Sequence, residues 1–351
     1  MTVDVKPIER AVAGATVYDV ARAAGVSAMT VSRVINGRAG VSGATRAKVD
    51  AALAALKYQP NLAARAARTG TLRIGLLYSN PSAAFLSELL VGAMDQCSQG
   101  GGQLLLERCD DLPSQRAAID KLIAAGADGI LVPPPLCDSK AALRQLHQIG
   151  MPTVAVATAR PAAGVAAVRI DDYQGALAMT RYLIGLGHRD IAFIKGDPKH
   201  TPAQLRFQAF GDAMREAGLA LPPQRVAQGY FTYRSGLEAA RRLLAAPARP
   251  SAIFASNDDM AAAALAVAHG MQLQVPKQLT VCGFDDTPVA TTVWPALTTI
   301  HQPIADMARA AVNLLLEEIR RRRADEPKVA AHHLLPFTLV VRESSAAPAK
   351  P

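Results

Sequence analysis

The sequence predicts a short all-α domain at the N-terminus, then an α/β core of two lobes, each a doubly wound parallel sheet. Three observations carry that expectation. Helix-start and helix-stop residues crowd the first sixty positions, with no strand-like run between them. From Leu72 onward, short apolar runs alternate with longer helical stretches. The alternation comes in two successive series of similar length, the second opening after VRID at 168–171.

In the first domain, Thr16 is placed to cap a helix over Val17–Ala24, which Gly25 breaks. Ser27 caps a second, Ala28–Ile35, ending at Asn36-Gly37. Ser42 caps a third, Ala44–Leu56, with Val49, Leu53 and Leu56 on one apolar face, and Pro60 stops it. An Ala- and Arg-rich hinge helix or linker follows over 60–71. In the first lobe, Arg73–Tyr78 precedes a helix at Phe85–Ser98, QLLLE one at Ser114–Ala125, and GILVP one at Lys140–Ile149, with TVAVA closing the series. In the second, the helices are Gly175–Leu186, Gln204–Ala217, Arg234–Ala245 and Asp258–His269, each leading to an apolar run: DIAFIKG, RVAQG, AIFAS and LTVCGFD. A long helix, Ile304–Arg323, and a strand near Leu339–Val341 return to the lobes. The expected division is a flexible tail at 1–15, a headpiece at 16–59 and the hinge. Lobe 1 takes 72–168 plus 301–325, lobe 2 takes 169–300 plus 326–342, and 343–351 is a flexible tail.

Half of the 351 residues are hydrophobic, which excludes a mostly disordered chain. The formal charge is +9, and +6 of it falls within residues 1–70. That placement suits a polyanion partner for the headpiece. Cys97, Cys109, Cys137 and Cys282 form no C-x-x-C pair, which fits a reducing compartment. No secretory signal is visible, and the longest apolar run, Met260–Ala268, is too short to span a bilayer. A cytoplasmic protein with no membrane partner is expected.

Residues 16–37, TVYDVARAAGVSAMTVSRVING, have the spacing of a helix-turn-helix. Val20, Ala21 and Ala24 form the inner face of the first helix, and small Ala21 permits close approach. Gly25 makes the turn, Val26 plugs the corner, and Val31 and Val34 face inward from the second helix. Ala28, Met29, Thr30, Ser32, Arg33 and Asn36 are left outside or at the helix ends, which suits a helix lying in the major groove of double-stranded DNA. An ordinary helical hairpin is the blander reading, and the complete string argues against it.

Polar residues fall at the strand ends of the core, where doubly wound lobes form a crevice. Asn257 and Asp258 follow AIFAS, Asp285 and Asp286 follow TVCGF, Asp171 and Asp172 follow VRI, and Arg206 sits early on a helix. Donors and acceptors so mixed suit a neutral polyhydroxyl ligand. Phe85, Phe231 and Trp294 are candidate stacking surfaces. The competing readings are helix N-caps for the carboxylates and core packing for Phe85 and Trp294.

The helix-turn-helix string resembles the N-terminal signature of the LacI/GalR family of transcription regulators. The likeness continues through VSGATRAKVDAALAALKYQPNLAAR and covers about 16–342, with AQLRFQAF, ASNDDMA, VCGFDDT and ALTTIHQP also similar. It implies that the core is periplasmic-binding-protein-like. It places Ala28 and Met29 at base-reading positions, Arg33 at a base or phosphate, and Tyr18, Ser27, Thr30, Ser32 and Asn36 at backbone-contacting or capping positions. Asn61, Arg65 and Ala67 fall in the DNA-binding hinge. Ala67 stands where the family usually carries a Leu that wedges into the minor groove, so a smaller kink, or one resting more on Arg65 and Arg68, is expected here. Arg206, Asn257 and Asp285 fall at effector-contacting positions, Phe231 where an aromatic is common, and Phe85 at a pocket-facing position. Ala157 and Thr158 stand where some sugar-binding members are acidic.

No phosphate-loop, dinucleotide, nucleophile-elbow or H-E-x-x-H motif is present, so neither enzyme activity nor a cofactor is expected. Adjacent His332 and His333 point apart in a strand, so no metal is expected. The expected function is a homodimeric repressor of carbohydrate-utilisation genes that binds a near-palindromic operator and is released by a sugar inducer. A purine- or nucleoside-responsive regulator is the alternative, and a solute-binding protein without DNA binding a more distant one.

Overall fold

The computed structural model describes residues 17–35, 41–56, 71–79, 81–109, 112–327 and 329–349. The chain divides into two compact units, Met1–Arg68 and Thr69–Pro351. The expected tail at 1–15, the hinge from 60 to 70, and Asn36, Asn61, Arg65 and Ala67 lie outside the described residues.

The first unit holds helices α1 (Val17–Ala24), α2 (Ala28–Ile35) and α3 (Gly43–Ala55). Gly25 adopts a left-handed φ of 64°, and the Val26 amide closes the turn on the Ala21 carbonyl at 3.0 Å. Ser27 caps α2 by accepting the Thr30 N–H at 3.2 Å, and Ser42 caps α3 by accepting that of Thr45 at 3.3 Å. Val20, Ala21, Val31, Val34, Val49 and Ala52 form the buried core, with Ala24, Val26, Ala28, Val41 and Leu53 packed around it. The apolar face of α3 is therefore Val49, Ala52 and Leu53. Leu56, expected on that face, follows the last helical residue and is 37% exposed.

The second unit runs β1 (Arg73–Tyr78), α4 (Ala83–Gln99), β2 (Gln103–Arg108), α5 (Leu112–Ala124), β3 (Gly129–Val132), α6 (Lys140–Gln148), β4 (Thr153–Val156) and β5 (Ala166–Arg169). It continues with α7 (Asp172–Gly185), β6 (Ile191–Lys195), α8 (Thr201–Glu216), β7 (Val226–Gln228), α9 (Tyr233–Leu244), β8 (Ala252–Ala255), α10 (Asp258–Gly270) and β9 (Thr280–Cys282). The last elements are α11 (Val289–Thr292), β10 (Thr299–His301), α12 (Ile304–Arg323), β11 (His332–Leu334) and β12 (Thr338–Val340). Lobe 1 is a six-stranded parallel sheet in the order β11-β5-β4-β3-β1-β2, and lobe 2 a four-stranded one in the order β7-β6-β8-β9. Strands β3, β4 and β8 are buried along their whole length, as expected of parallel strands covered on both faces. Helices α4 and α12 cover one face of the lobe 1 sheet; α5 and α6 cover the other.

Two expectations are corrected. Residues 326–342 were assigned to lobe 2, but β11 pairs with β5 and extends the lobe 1 sheet, while β12 pairs antiparallel with β10. The chain therefore passes between the lobes at 170–171, 302–303 and 335–337. Residues 343–351 were expected to be a flexible tail, yet the described part, 343–349, docks on lobe 2 through Ser344 and Ala346. Ser344 is fully buried; its Oγ donates to the Val281 carbonyl at 2.6 Å and accepts the Thr298 N–H at 2.8 Å. The Ala346 carbonyl lies 2.9 Å from His188 Nε2 and accepts from Thr280 Oγ1 at 3.1 Å. Small polar composition suggested disorder, but those side chains satisfy backbone groups at the edge of β9.

A buried hydroxyl with two backbone partners contributes about 1–3 kcal/mol, because its loss leaves both unpaired. Ser344→Ala is therefore expected to lower the thermal midpoint of the second unit by several degrees. A melt followed by circular dichroism tests this, and an unchanged midpoint would refute the docked arrangement.

Candidate functional site

Two sites emerge, one in each unit. In the first, α2 turns its valines inward, so its longer side chains stand on the other face. Met29 is 68% exposed and Arg33 is exposed; Ala28 and Thr30 are half-buried. Ser27 is exposed and occupied as the cap of α2, its hydroxyl 2.9 Å from that of Thr30. Ser27, Thr30, Arg33, Ser42 and Thr45 line one shallow groove where the N-termini of α2 and α3 meet. Helix N-termini and an arginine around one groove favour an anion there. Tyr18 and Ser32 fall within α1 and α2.

The second site is the cleft between the lobes. The five core residues expected to contact an effector, Phe85, Arg206, Phe231, Asn257 and Asp285, all line it. They come from separate places in the fold: α4, α8, the turn before α9, the N-cap of α10 and the loop after β9. The empty space among the lining residues is about 390 Å3, part of it open to solvent. Phe231 and Asp285 hold left-handed φ values of 60° and 113°, a strained conformation for residues with a side chain and one that concentrates at functional sites.

Arg206 organises the floor. It is 4% exposed, its Nε and Nη2 each 2.8 Å from Asp172 Oδ1. Its Nη1 donates to the Ser256 carbonyl at 2.6 Å and to Asp285 Oδ1 at 3.3 Å, and its guanidinium lies 3.6 Å from the Phe284 ring centroid. Gln302 Nε2 donates to the same Asp285 oxygen at 2.7 Å. Burial pushes the Asp285 carboxyl up to about 7 against the opposing pull of Arg206, and raises Asp172 in the same way.

The other strand-end residues divide by role. Asn257 caps α10 by accepting the Met260 N–H at 3.0 Å and also donates to the Phe231 carbonyl at 3.1 Å. Asp171 is a cap, accepting the Gln174 N–H at 3.0 Å. Asp258 is not; it is fully buried and ties the loop after β9 to β10 through Thr287 and Thr299. Asp286 faces Arg342 and His301. Trp294 neither packs in the core nor lines the cleft; it is 78% exposed. Sequence reasoning passed over Ser82, His200 and Gln302, which line the cleft, and left Asp172 among the undecided carboxylates. Gln302 lay within ALTTIHQP and His200 just before the helix of Arg206, so adjacency was the available signal.

The lobes also touch directly above the floor. Ser82 Oγ donates to Asp259 Oδ2 at 2.8 Å, the Thr201 N–H donates to Asp138 Oδ2 at 2.9 Å, and the Ala159 N–H donates to Thr201 Oγ1 at 3.0 Å.

Residues 16–61 match the bacterial regulatory proteins of the lacI family, and residues 180–345 match a periplasmic binding protein-like domain. The chain is 36% identical over 326 residues to the HTH-type transcriptional repressor PurR of Escherichia coli O139:H28, covering 91% of this chain and 94% of that one. The chain belongs to the LacI family of transcriptional regulators. Among solved structures, the transcriptional regulator CelR–cellobiose complex is similar at 32% identity and a TM-score of 0.70, over 94% of this chain and 99% of that one. The lac repressor dimer bound to operator and the anti-inducer ONPF is similar at 27% identity and a TM-score of 0.71, over 95% and 100%. As a LacI-family regulator the chain is a DNA-binding protein and not an enzyme. Among the described residues, no helix is long and apolar enough to cross a membrane.

Removing Arg206 strands two buried carboxyls. Arg206→Ala is expected to destabilise the second unit by about 3–5 kcal/mol, with Arg206→Lys restoring only part of it because an ammonium cannot bridge both acids in one plane. Urea titrations of the two variants measure this, and a loss below about 1 kcal/mol would show that the network is not under strain when broken.

Proposed function

We propose that this regulator is a homodimeric repressor of carbohydrate-utilisation genes, released from a near-palindromic operator when a sugar binds between its lobes. The observation that carries the reading is the convergence of Phe85, Arg206, Phe231, Asn257 and Asp285 on one cleft. Carboxylate oxygens and amides around aromatic rings suit a ligand rich in hydroxyls. The similarity to a regulator solved with cellobiose supports the class. Phe85 and Phe231 also favour a second reading, a purine base or nucleoside stacked between flat groups.

On the DNA side, Met29 offers apolar contact to thymine methyls and Arg33 supplies the hydrogen bonds that discriminate bases. Tyr18, Ser27, Thr30, Ser32 and Asn36 position the headpiece on phosphates, and Asn61, Arg65 and Ala67 contribute from the hinge. Exposed apolar side chains support pairing with a second copy: Val91, Met94 and Leu106 on lobe 1 and Met271 and Trp294 on lobe 2. Two-fold protein symmetry then matches two-fold operator symmetry.

Arg33→Ala is expected to lose the preference for operator over random DNA while keeping salt-sensitive non-specific binding. Fluorescence anisotropy with both duplexes reads this, and undiminished discrimination would count against the assignment. Asp285→Asn keeps the volume and removes the charge; effector affinity is expected to fall about tenfold or more, with operator affinity unchanged. A thermal-shift screen of sugars and nucleobases finds the effector; a hit confined to nucleobases would replace the carbohydrate reading with the second one.

A further inference from the structure

Helix α8 takes its N-terminal cap from the opposite lobe. The neighbouring helices of lobe 2 cap themselves: Asp171 accepts from Gln174 at the start of α7, Thr232 from Ser235 at α9, and Asn257 from Met260 at α10. The N-cap position of α8 is His200, whose backbone is extended and whose side chain makes no capping bond. Pro202 follows in the first turn and brings no N–H of its own. The Thr201 N–H is accepted instead by Asp138 Oδ2 of lobe 1, at 2.9 Å.

The acceptor is held in place from within lobe 1. Asp138 ends the short turn Leu136–Asp138 after β3, and its other oxygen accepts from Thr158 Oγ1 at 2.7 Å. Thr158 is fully buried two residues beyond β4, and its hydroxyl also accepts the Arg160 N–H at 3.2 Å. One carboxylate oxygen is thus fixed inside lobe 1 while the other reaches across the gap. A return bond runs beside it, from the Ala159 N–H to Thr201 Oγ1 at 3.0 Å. Asp138 and Thr201 both stand outside the lining of the cleft. When the lobes part, the Thr201 and Ala159 N–H groups lose these partners, and the carboxylate leaves the positive end of the α8 dipole. A self-capped helix would be indifferent to opening.

We infer that Asp138 is a positioning residue that biases the lobes toward closure without touching the ligand, as a cap that completes the first turn of α8 only when the cleft is shut. The helix that carries Arg206 is therefore fully capped in the closed arrangement alone. The inference does not depend on the class of effector. Any ligand that prefers the closed cleft binds with higher apparent affinity when that arrangement is already populated.

Pulsed electron paramagnetic resonance on the full-length chain, with no small molecule added, tests it. Spin labels go on Ala141→Cys in lobe 1 and Gln208→Cys in lobe 2, both exposed helical positions, while the four native cysteines are buried. Dilution with unlabelled chain confines the signal to the pair within one protomer. Wild type is expected to give one dominant short distance. Asp138→Ala is expected to shift population to a longer one, with the closed-to-open ratio falling about tenfold, and Asp138→Asn, whose amide oxygen still accepts, to recover part of it. Thr201→Pro removes the N–H and the hydroxyl at a first-turn position that suits proline, and leaves the Asp138–Thr158 bond intact. It is expected to reproduce the Asp138→Ala shift. Should Asp138→Ala fail to fold, Asp138→Asn and Thr201→Pro decide the matter. An aspartate that merely braced lobe 1 through Thr158 would lower the thermal midpoint when replaced and leave Thr201→Pro at the wild-type distance. Unchanged distances, a shift with Asp138 replaced but not with Thr201→Pro or the reverse, or a wild type already dominated by the longer distance overturns the inference. None of these outcomes bears on whether the cleft takes a sugar or a nucleobase, so the proposed function stands or falls separately.

Discussion

The cleft depends on one buried guanidinium. Arg206 draws the N-terminus of α7, the end of β8 and the loop after β9 to a single point, through Asp172, the Ser256 carbonyl and Asp285. Each group needs the others, since any one left alone in that interior would carry an uncompensated desolvation penalty. Apolar residues of the same volume would hold the lobe together at least as well, because a buried ion pair is weak evidence for stability. What an apolar set could not supply is a rigid array of acceptors facing the space between the lobes. Asp258, tying the same loop to β10 from behind, keeps Asp285 in its left-handed conformation. The network is therefore better explained by position than by net stabilisation.

Closure of the cleft rests on much weaker bonds. Ser82–Asp259, Asp138–Thr201 and Ala159–Thr201 are neutral or singly charged hydrogen bonds near the rim. At roughly 0.5–1.5 kcal/mol for the neutral bond and about 1.5–3 kcal/mol for each bond to a carboxylate, they supply on the order of 3–8 kcal/mol in total. Swinging a two-state equilibrium from 1:99 to 99:1 takes about 5.5 kcal/mol. The direct contacts are of the same order as that figure, so they matter when the site is empty and still leave the balance within reach of a ligand that prefers the other state. Only the ligand's differential affinity for the two arrangements can move the balance. Whether that ligand releases or retains DNA follows from which arrangement it favours.

Much of this was legible from residue order because strand and helix periods are local properties. The strand at Arg73–Tyr78 and the helix at Ile304–Arg323 match their expected bounds, and most other helices shift by one to three residues at their ends. The short strand β10 was not foreseen; three residues of alternating texture carry no signal above background. The final segment misled because Ser344 and Ser345 look like solvent-exposed residues until the unpaired backbone they satisfy is known. Arg206 was recognisable because a cation early on a helix opposes the dipole, an anomaly visible without coordinates. His200 was not, since its singular feature, a nitrogen without a partner, exists only once Asp138 has taken over the cap.

The headpiece imposes the remaining constraint. Among the described residues, its fully buried side chains are valines and alanines, with Leu53 packed beside them, so the three helices pack closely and little apolar area stabilises them. Reading power is equally spare: among the described side chains of α2, Met29 and Arg33 are the exposed ones, with small Ala28 and Thr30 half-buried beside them. On the proposed reading, a single half-site is thus discriminated weakly, and phosphate contacts supply much of the affinity without sequence preference. Specificity then has to come from two half-sites engaged together at a fixed spacing, since a second, tethered binding event multiplies the first only where the geometry permits both. A weak reader is for that reason a good target for allosteric control. A modest change in the separation of two headpieces removes the advantage of joint binding, with no need to alter either recognition helix.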